Sequence, residues 1–98
     1  MTRVSLYVEL TARPGKEDEV ASFLASAQSL VAAESGTVTW FALRYDRSTF
    51  AIFDAFNDEA GRAAHLRGQV AAALLARADE LLATAPQIRK ADVLADKR

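Results

Sequence analysis

The chain has 98 residues, 51% of them apolar and 26% charged, with four glycines, two prolines and no cysteine. That is one domain's worth of chain, spanning residues 1–98, and too apolar a composition for long disordered segments. The missing cysteine excludes a disulfide framework, thiolate catalysis and the thiolate classes of zinc and iron–sulfur site.

The formal net charge is −1, with 12 basic residues scattered among 13 acidic ones. No basic stripe exists to neutralise a row of phosphates, so nucleic acid is a poor partner. No stretch approaches the roughly 20 apolar residues needed to cross a bilayer, and Met1-Thr2-Arg3 leads into the first alternating segment without an apolar leader. The expectation is a soluble, cytoplasmic protein with no membrane partner.

From Arg3 to Thr11, Val4, Leu6, Val8 and Leu10 alternate with Ser5, Tyr7, Glu9 and Thr11, the period of a strand. Pro14-Gly15 breaks it. Glu17, Asp18 and Glu19 suit a helix N-terminus, and Val20, Phe23, Leu24, Ala27 and Leu30 recur at helical spacing, which predicts an amphipathic helix ending near Ser35-Gly36. Thr37 to Tyr45 and Thr49 to Phe56 are rich in β-branched and aromatic residues, and Asp46-Arg47-Ser48 between them makes the pair a hairpin. Asn57 is placed to cap a second helix that Gly68 interrupts before Val70 to Ala83 resumes it; Pro86 ends the helical region. Ile88 to Leu94 is a last strand whose Arg89, Lys90 and Asp92 suit a sheet edge. The order βαββαβ predicts an α+β fold, a ferredoxin-like antiparallel sheet with its helices on one face.

A two-residue loop at Asp46-Arg47 sets Tyr45 opposite Ser48 and Thr39 opposite Asp54. It places Trp40, Ala42, Ala51 and Phe53 on one face and Phe41, Leu43, Phe50, Ile52 and Phe56 on the other. A loop one residue longer regroups these sets but leaves both faces apolar. The helices can cover one face; a second copy of the sheet is the economical lid for the other, so the expected partner is a homodimer through the sheet face.

Few residues carry chemistry. There is no phosphate-cradling glycine loop, no metal-ligand spacing and no serine set beside a histidine. The single histidine, His65, can serve as an acid, a base or a donor to a ligand oxygen. It lies opposite the apolar direction set by Ala60, Ala63, Ala64 and Leu66, which predicts a solvated or pocket-rim position. Trp40 and Arg44 stand four apart on one strand, where an aromatic platform beside a guanidinium suits a flat oxygenated ring; a core tryptophan with an edge arginine gives the same spacing. Asp54 interrupts Phe50-Ala51-Ile52-Phe53 and needs either a partner or a raised pKa, so it is a structural pair or a general base. Tyr7 on the first strand can meet a ligand oxygen or pack as a half-buried strand tyrosine.

The opening strand, Arg13-Pro14-Gly15-Lys16-Glu17, Glu34-Ser35-Gly36, and Phe53-Asp54-Ala55-Phe56-Asn57-Asp58-Glu59-Ala60 leading into Ala64-His65-Leu66 resemble the antibiotic biosynthesis monooxygenase family over nearly all of the chain. The resemblance implies a dimeric α+β barrel that oxidises a quinol, an anthrone or a similar aromatic phenol with dioxygen, using no flavin, haem or metal cofactor. It implies deprotonation of the substrate, electron transfer from the anion to dioxygen, and recombination in a dry pocket. Trp40, Phe53 and Phe56 would then wall the pocket and Arg44 or Tyr7 would steady the oxyanion. His65 would be base or donor, with Asp54 among the substrate-binding residues. The family's haem-degrading branch carries an asparagine on the first strand and a tryptophan near the end of the third, where this chain has Ser5, Tyr7 and Glu9 and then Phe56; haem breakdown is not implied. The alternative is a non-catalytic dimeric binding module for a small aromatic metabolite.

Overall fold

A strand with two unlike faces must bury one of them, and the alternation in the first strand sets the plan of the molecule. The computed structural model describes residues 2–97, so the two end residues of the expected 1–98 domain lie outside the described residues. Its elements are β1 (Val4–Thr11), α1 (Glu17–Val31), β2 (Thr37–Arg44), β3 (Thr49–Phe56), α2 (Glu59–Leu66), α3 (Gln69–Leu81) and β4 (Gln87–Asp92). The four strands form one antiparallel sheet in the order β2-β3-β1-β4, the ferredoxin-like arrangement the element order predicts.

Leu6, Val8 and Leu10 of β1 and Phe50, Ile52 and Phe56 of β3 point to the helix side and are buried, Phe56 completely. Val20 and Leu24 of α1 and Leu74 and Leu81 of α3 close over Val8, Leu10, Phe50 and Ile52. Each such side chain contributes about 1.5–3 kcal/mol when fully removed from water. Trp40 bridges this cluster to a smaller one of Ala27, Val31 and Val70.

Three local expectations are corrected. The first helix ends at Val31 rather than near Ser35-Gly36, and Glu34 closes the following turn by accepting from the Thr37 hydroxyl (2.8 Å) and, through its backbone carbonyl, from the Thr37 amide. The residue that caps α2 is Asp58, not Asn57: its side chain accepts from the Gly61 amide at 2.8 Å. The hairpin loop is one residue longer than two. Tyr45 N–H bonds to the Thr49 carbonyl, and the Asp46 carboxylate accepts from the amides of Ser48 (2.9 Å) and Thr49 (2.8 Å), closing a three-residue loop, 46–48.

That extra residue shifts the register by one, and the period-two geometry of a strand regroups the side chains accordingly. Trp40, not Thr39, stands opposite Asp54, and Thr39 stands opposite Ala55. Trp40 and Ala42 join Phe50, Ile52 and Phe56 on the helix side, while Phe41, Leu43, Ala51 and Phe53 share the open side. Both faces are still apolar, and on the open one Phe41 is 56% and Tyr45 60% exposed.

Helix α2 reaches the sheet through a backbone crossing in which a Cβ on Gly61 would lie 2.8 Å from the Gly36 carbonyl oxygen. Gly61→Ala would ordinarily stabilise a helix by about 1 kcal/mol; here it must displace backbone, at about 1–3 kcal/mol. We expect a net loss of up to roughly 2 kcal/mol in urea unfolding, and a midpoint raised by the full helix-propensity gain would mean that the crossing yields without cost.

Candidate functional site

The crossing of Gly36 and Gly61 carries the end of α2 over the end of β3, and His65 descends between them. Its side chain is only 7% exposed, so the expectation of a solvated or rim position is corrected. Ala60, Ala63 and Ala64 offer only methyl groups, which bury little area and cannot set the helix's orientation. The buried residues of this short helix are instead Arg62 and His65, each met by polar partners.

Both nitrogens of the imidazole are engaged. Nδ1 donates to Glu34 Oε1 at 2.6 Å, and Nε2 lies 2.9 Å from Asp54 Oδ2, whose side chain is 1% exposed. The latter contact is an ion pair, and among the described residues neither Asp54 oxygen has a hydrogen-bond partner by strict geometry. Phe56 covers one side of the ring at 5.5 Å between centroids. Burial alone would lower the His65 pKa; contact with Asp54, the hydrogen bond to Glu34 and both carboxylate charges outweigh it and raise it to about 9. The position in the last turn of α2 also favours a cation. At neutral pH this is an imidazolium with no lone pair, a donor and not a proton acceptor.

Glu34, which sequence reasoning did not single out as a site residue, is 19% exposed and opens the clamp to the surface. With Thr37, Gly61, Ala64, His65 and Gly68 it lines a pocket of about 270 Å³. A Cβ on Gly68 would sit 2.7 Å from Glu34 Oε2, so the glycine leaves the carboxylate its place.

Of the expected site residues, His65, Asp54 and Phe56 meet, and Trp40 is the register partner of Asp54. Tyr7 and Phe53 pair with each other on the opposite face, so Trp40, Phe53 and Phe56 do not form one wall within a single chain. The Tyr7 and Tyr45 hydroxyls share a 2.6 Å hydrogen bond, which is the first cause of a Tyr7 pKa raised to about 12 and keeps it a phenol. Arg44 lies four residues from Trp40 on the helix-side face, roughly 13 Å along the strand. It donates to the loop carbonyls of Asp46 and Arg47 and stacks over Phe50 at 4.9 Å. It lines, with Ala21, Leu24, Ala25, Ala42, Leu43 and Phe50, an apolar groove of about 210 Å³ between α1 and β2. Among the described residues no cluster of His, Asp and Glu is placed to hold a metal ion, and no helix is long and apolar enough to cross a membrane.

The raised pKa of His65 makes stability depend on pH with a definite sign. The contribution is fully present below 6.5, the ordinary value, and is lost as pH rises through about 9, an effect on the order of 3 kcal/mol. The ring resonances of this sole histidine should titrate near 9, and the unfolding free energy should fall across that window in the native chain but not in His65→Gln. Titration near the ordinary value would mean that the clamp does not hold in solution.

No family model matches the chain, and no curated protein matches it. Among solved structures, an antibiotic biosynthesis monooxygenase superposes with a TM-score of 0.81 at 12% identity, over 94% of this chain and 99% of that one. A conserved protein of unknown function from Bacteroides thetaiotaomicron, named a possible oxidoreductase, does so at 0.80 and 15%, over 94% and 98%. At these identities the agreement is one of fold. A crystal structure of a protein of unknown function from Nitrosomonas europaea matches with a TM-score of 0.98 and 57% identity, over 100% of this chain and 95% of that one. The chain belongs to the same family as that Nitrosomonas europaea protein.

Proposed function

We propose that the chain is an oxidoreductase of the antibiotic biosynthesis monooxygenase type, acting on a one- or two-ring aromatic phenol with dioxygen. The observation that carries this reading is the apolar groove between α1 and β2, floored by Phe50 and ended by Arg44. Its volume of about 210 Å³ suits one or two fused rings better than a large polycycle, and its walls are mostly apolar. Support also comes from the fold, shared with a structure named an antibiotic biosynthesis monooxygenase and another named a possible oxidoreductase.

The chemistry is within reach of these residues because the substrate supplies the electrons. Loss of the phenolic proton gives an anion that passes one electron to dioxygen, leaving a substrate radical and superoxide. The two combine at a ring carbon to form a peroxide. Loss of water then leaves a quinone carbonyl, so one oxygen atom enters the product and the other leaves as water. The groove's part is to hold the ring and exclude solvent while the radical pair exists.

Metal-stripped protein should consume dioxygen with small quinols and naphthols above the autoxidation blank. Ala25→Trp, which fills the groove from an exposed position on α1, should slow uptake by at least about tenfold. Uptake no faster than the blank, with thermal stabilisation by the same compounds, would replace the enzyme with a binding module.

The reading includes a homodimer. Phe41 and Tyr45 are more than half exposed, Leu43 is 38% exposed, and these open-face residues continue into Phe53 and Tyr7. A second copy packed face to face would cover them. Phe41→Glu should convert a species of about twice 10.6 kDa to the monomer in light scattering; a native chain already at the monomer mass would sink this part of the proposal.

A further inference from the structure

Four buried side-chain atoms lack a hydrogen-bond partner among the described residues, Trp40 Nε1, Asp54 Oδ1 and Oδ2, and Arg62 Nε, and two of them stand on register-paired residues of the helix side: Trp40 Nε1 on β2 and Oδ1, the Asp54 oxygen not paired with His65, on β3. Opposed residues of an antiparallel pair have their Cβ atoms about 4.5–5.5 Å apart, so the two atoms belong to one small region. Each orphaned group costs about 1–3 kcal/mol. One is an N–H donor and the other an acceptor, the complement of a hydroxyl group.

The surrounding charges sharpen the assignment. Asp54 Oδ2 faces the His65 imidazolium, whose other nitrogen is held by Glu34. The other inward group of α2, Arg62, donates through its terminal nitrogens to the carbonyls of Ser5 and Ala91 and to Glu59, and its Nε has no partner among the described residues. Arg44 is turned to the loop carbonyls at the far end of β2. Oδ1 is thus a buried carboxylate oxygen without a donor among the described residues, on the residue paired with Trp40.

We infer that Asp54 Oδ1 and Trp40 Nε1 together bind the hydroxyl of a phenolic ligand, which makes Asp54 rather than His65 the proton acceptor of the site. The step is a proton transfer without net redox change. The phenol O–H bond breaks, an O–H bond forms on Asp54 Oδ1, and the electron pair stays on the phenolate oxygen. That oxygen accepts from Trp40 Nε1–H, so the negative charge moves from a carboxylate with no donor at Oδ1 to an oxyanion that has one. His65 is a positioning residue: its charge occupies Oδ2 and leaves Oδ1 to the ligand. The assignment rests on the aromatic-phenol reading and adds the atoms that read the hydroxyl.

The test compares 2-naphthol with 2-methoxynaphthalene, which matches the ring and lacks the O–H. Native protein should bind naphthol at least about tenfold more tightly, and the indole N–H resonance of Trp40, the chain's sole tryptophan, should shift with naphthol. The preference should vanish in Asp54→Asn and in Trp40→Phe, the second variant serving if loss of the carboxylate charge beside His65 prevents folding. Equal binding of both compounds, or a preference that survives Trp40→Phe with the indole signal unmoved, overturns the inference and assigns the two atoms to a bound water only. Continued dioxygen uptake in that case leaves the oxidoreductase reading standing; absence of both binding and uptake removes the two together.

Discussion

The fold turns on one buried imidazolium. His65 ties three elements that are distant in sequence: the turn after α1 through Glu34, the end of β3 through Asp54, and α2, which carries it. Burying charge is costly unless every member finds a partner, so the cluster dictates its surroundings. Gly61 and Gly36 let α2 approach, Gly68 leaves space for Glu34, and Phe56 closes over the ring. These small residues and this aromatic are consequences of holding a cation between two carboxylates at the rim of a small core.

The rest of the chain divides its labour along the two faces of the sheet. The helix side collects Leu6, Val8, Leu10, Phe50, Ile52 and Phe56 under the helices, and an apolar groove remains between α1 and β2. Phe41, Leu43, Phe53 and the linked Tyr7 and Tyr45 stand on the other side. Polar function within one chain therefore concentrates at the edge of the helix-side core, and the open face offers surface to be covered.

Much of the fold was legible because alternation in β1 and helical spacing in α1 and α3 are long, strong patterns. The hairpin register was not. It depended on one side chain, Asp46, accepting from two loop amides and so lengthening the turn by a residue; that single step exchanged Trp40 with Phe41 between faces. His65 was legible as a chemical candidate but not as a buried one. In an eight-residue helix the alanine face carries too little hydrophobic area to decide orientation against two waiting carboxylates. Glu34 gave no periodic signal, since its role depends on the turn that brings it across to α2. Its position just before Ser35-Gly36, where helix and strand must be joined closely, was the only hint.

The clamp also bears on why Asp54 is there. Holding α2 against the turn needs one charge pair, and Glu34 with His65 supplies it, hydrogen-bonded and partly hydrated at the surface. A second carboxylate, completely buried, faces the ring at 2.9 Å with one oxygen and leaves the other without a donor among the described residues, at a cost in desolvation. On the proposed reading, the unpartnered Oδ1 of Asp54, on the residue paired with Trp40, is the oxygen that a ligand hydroxyl occupies.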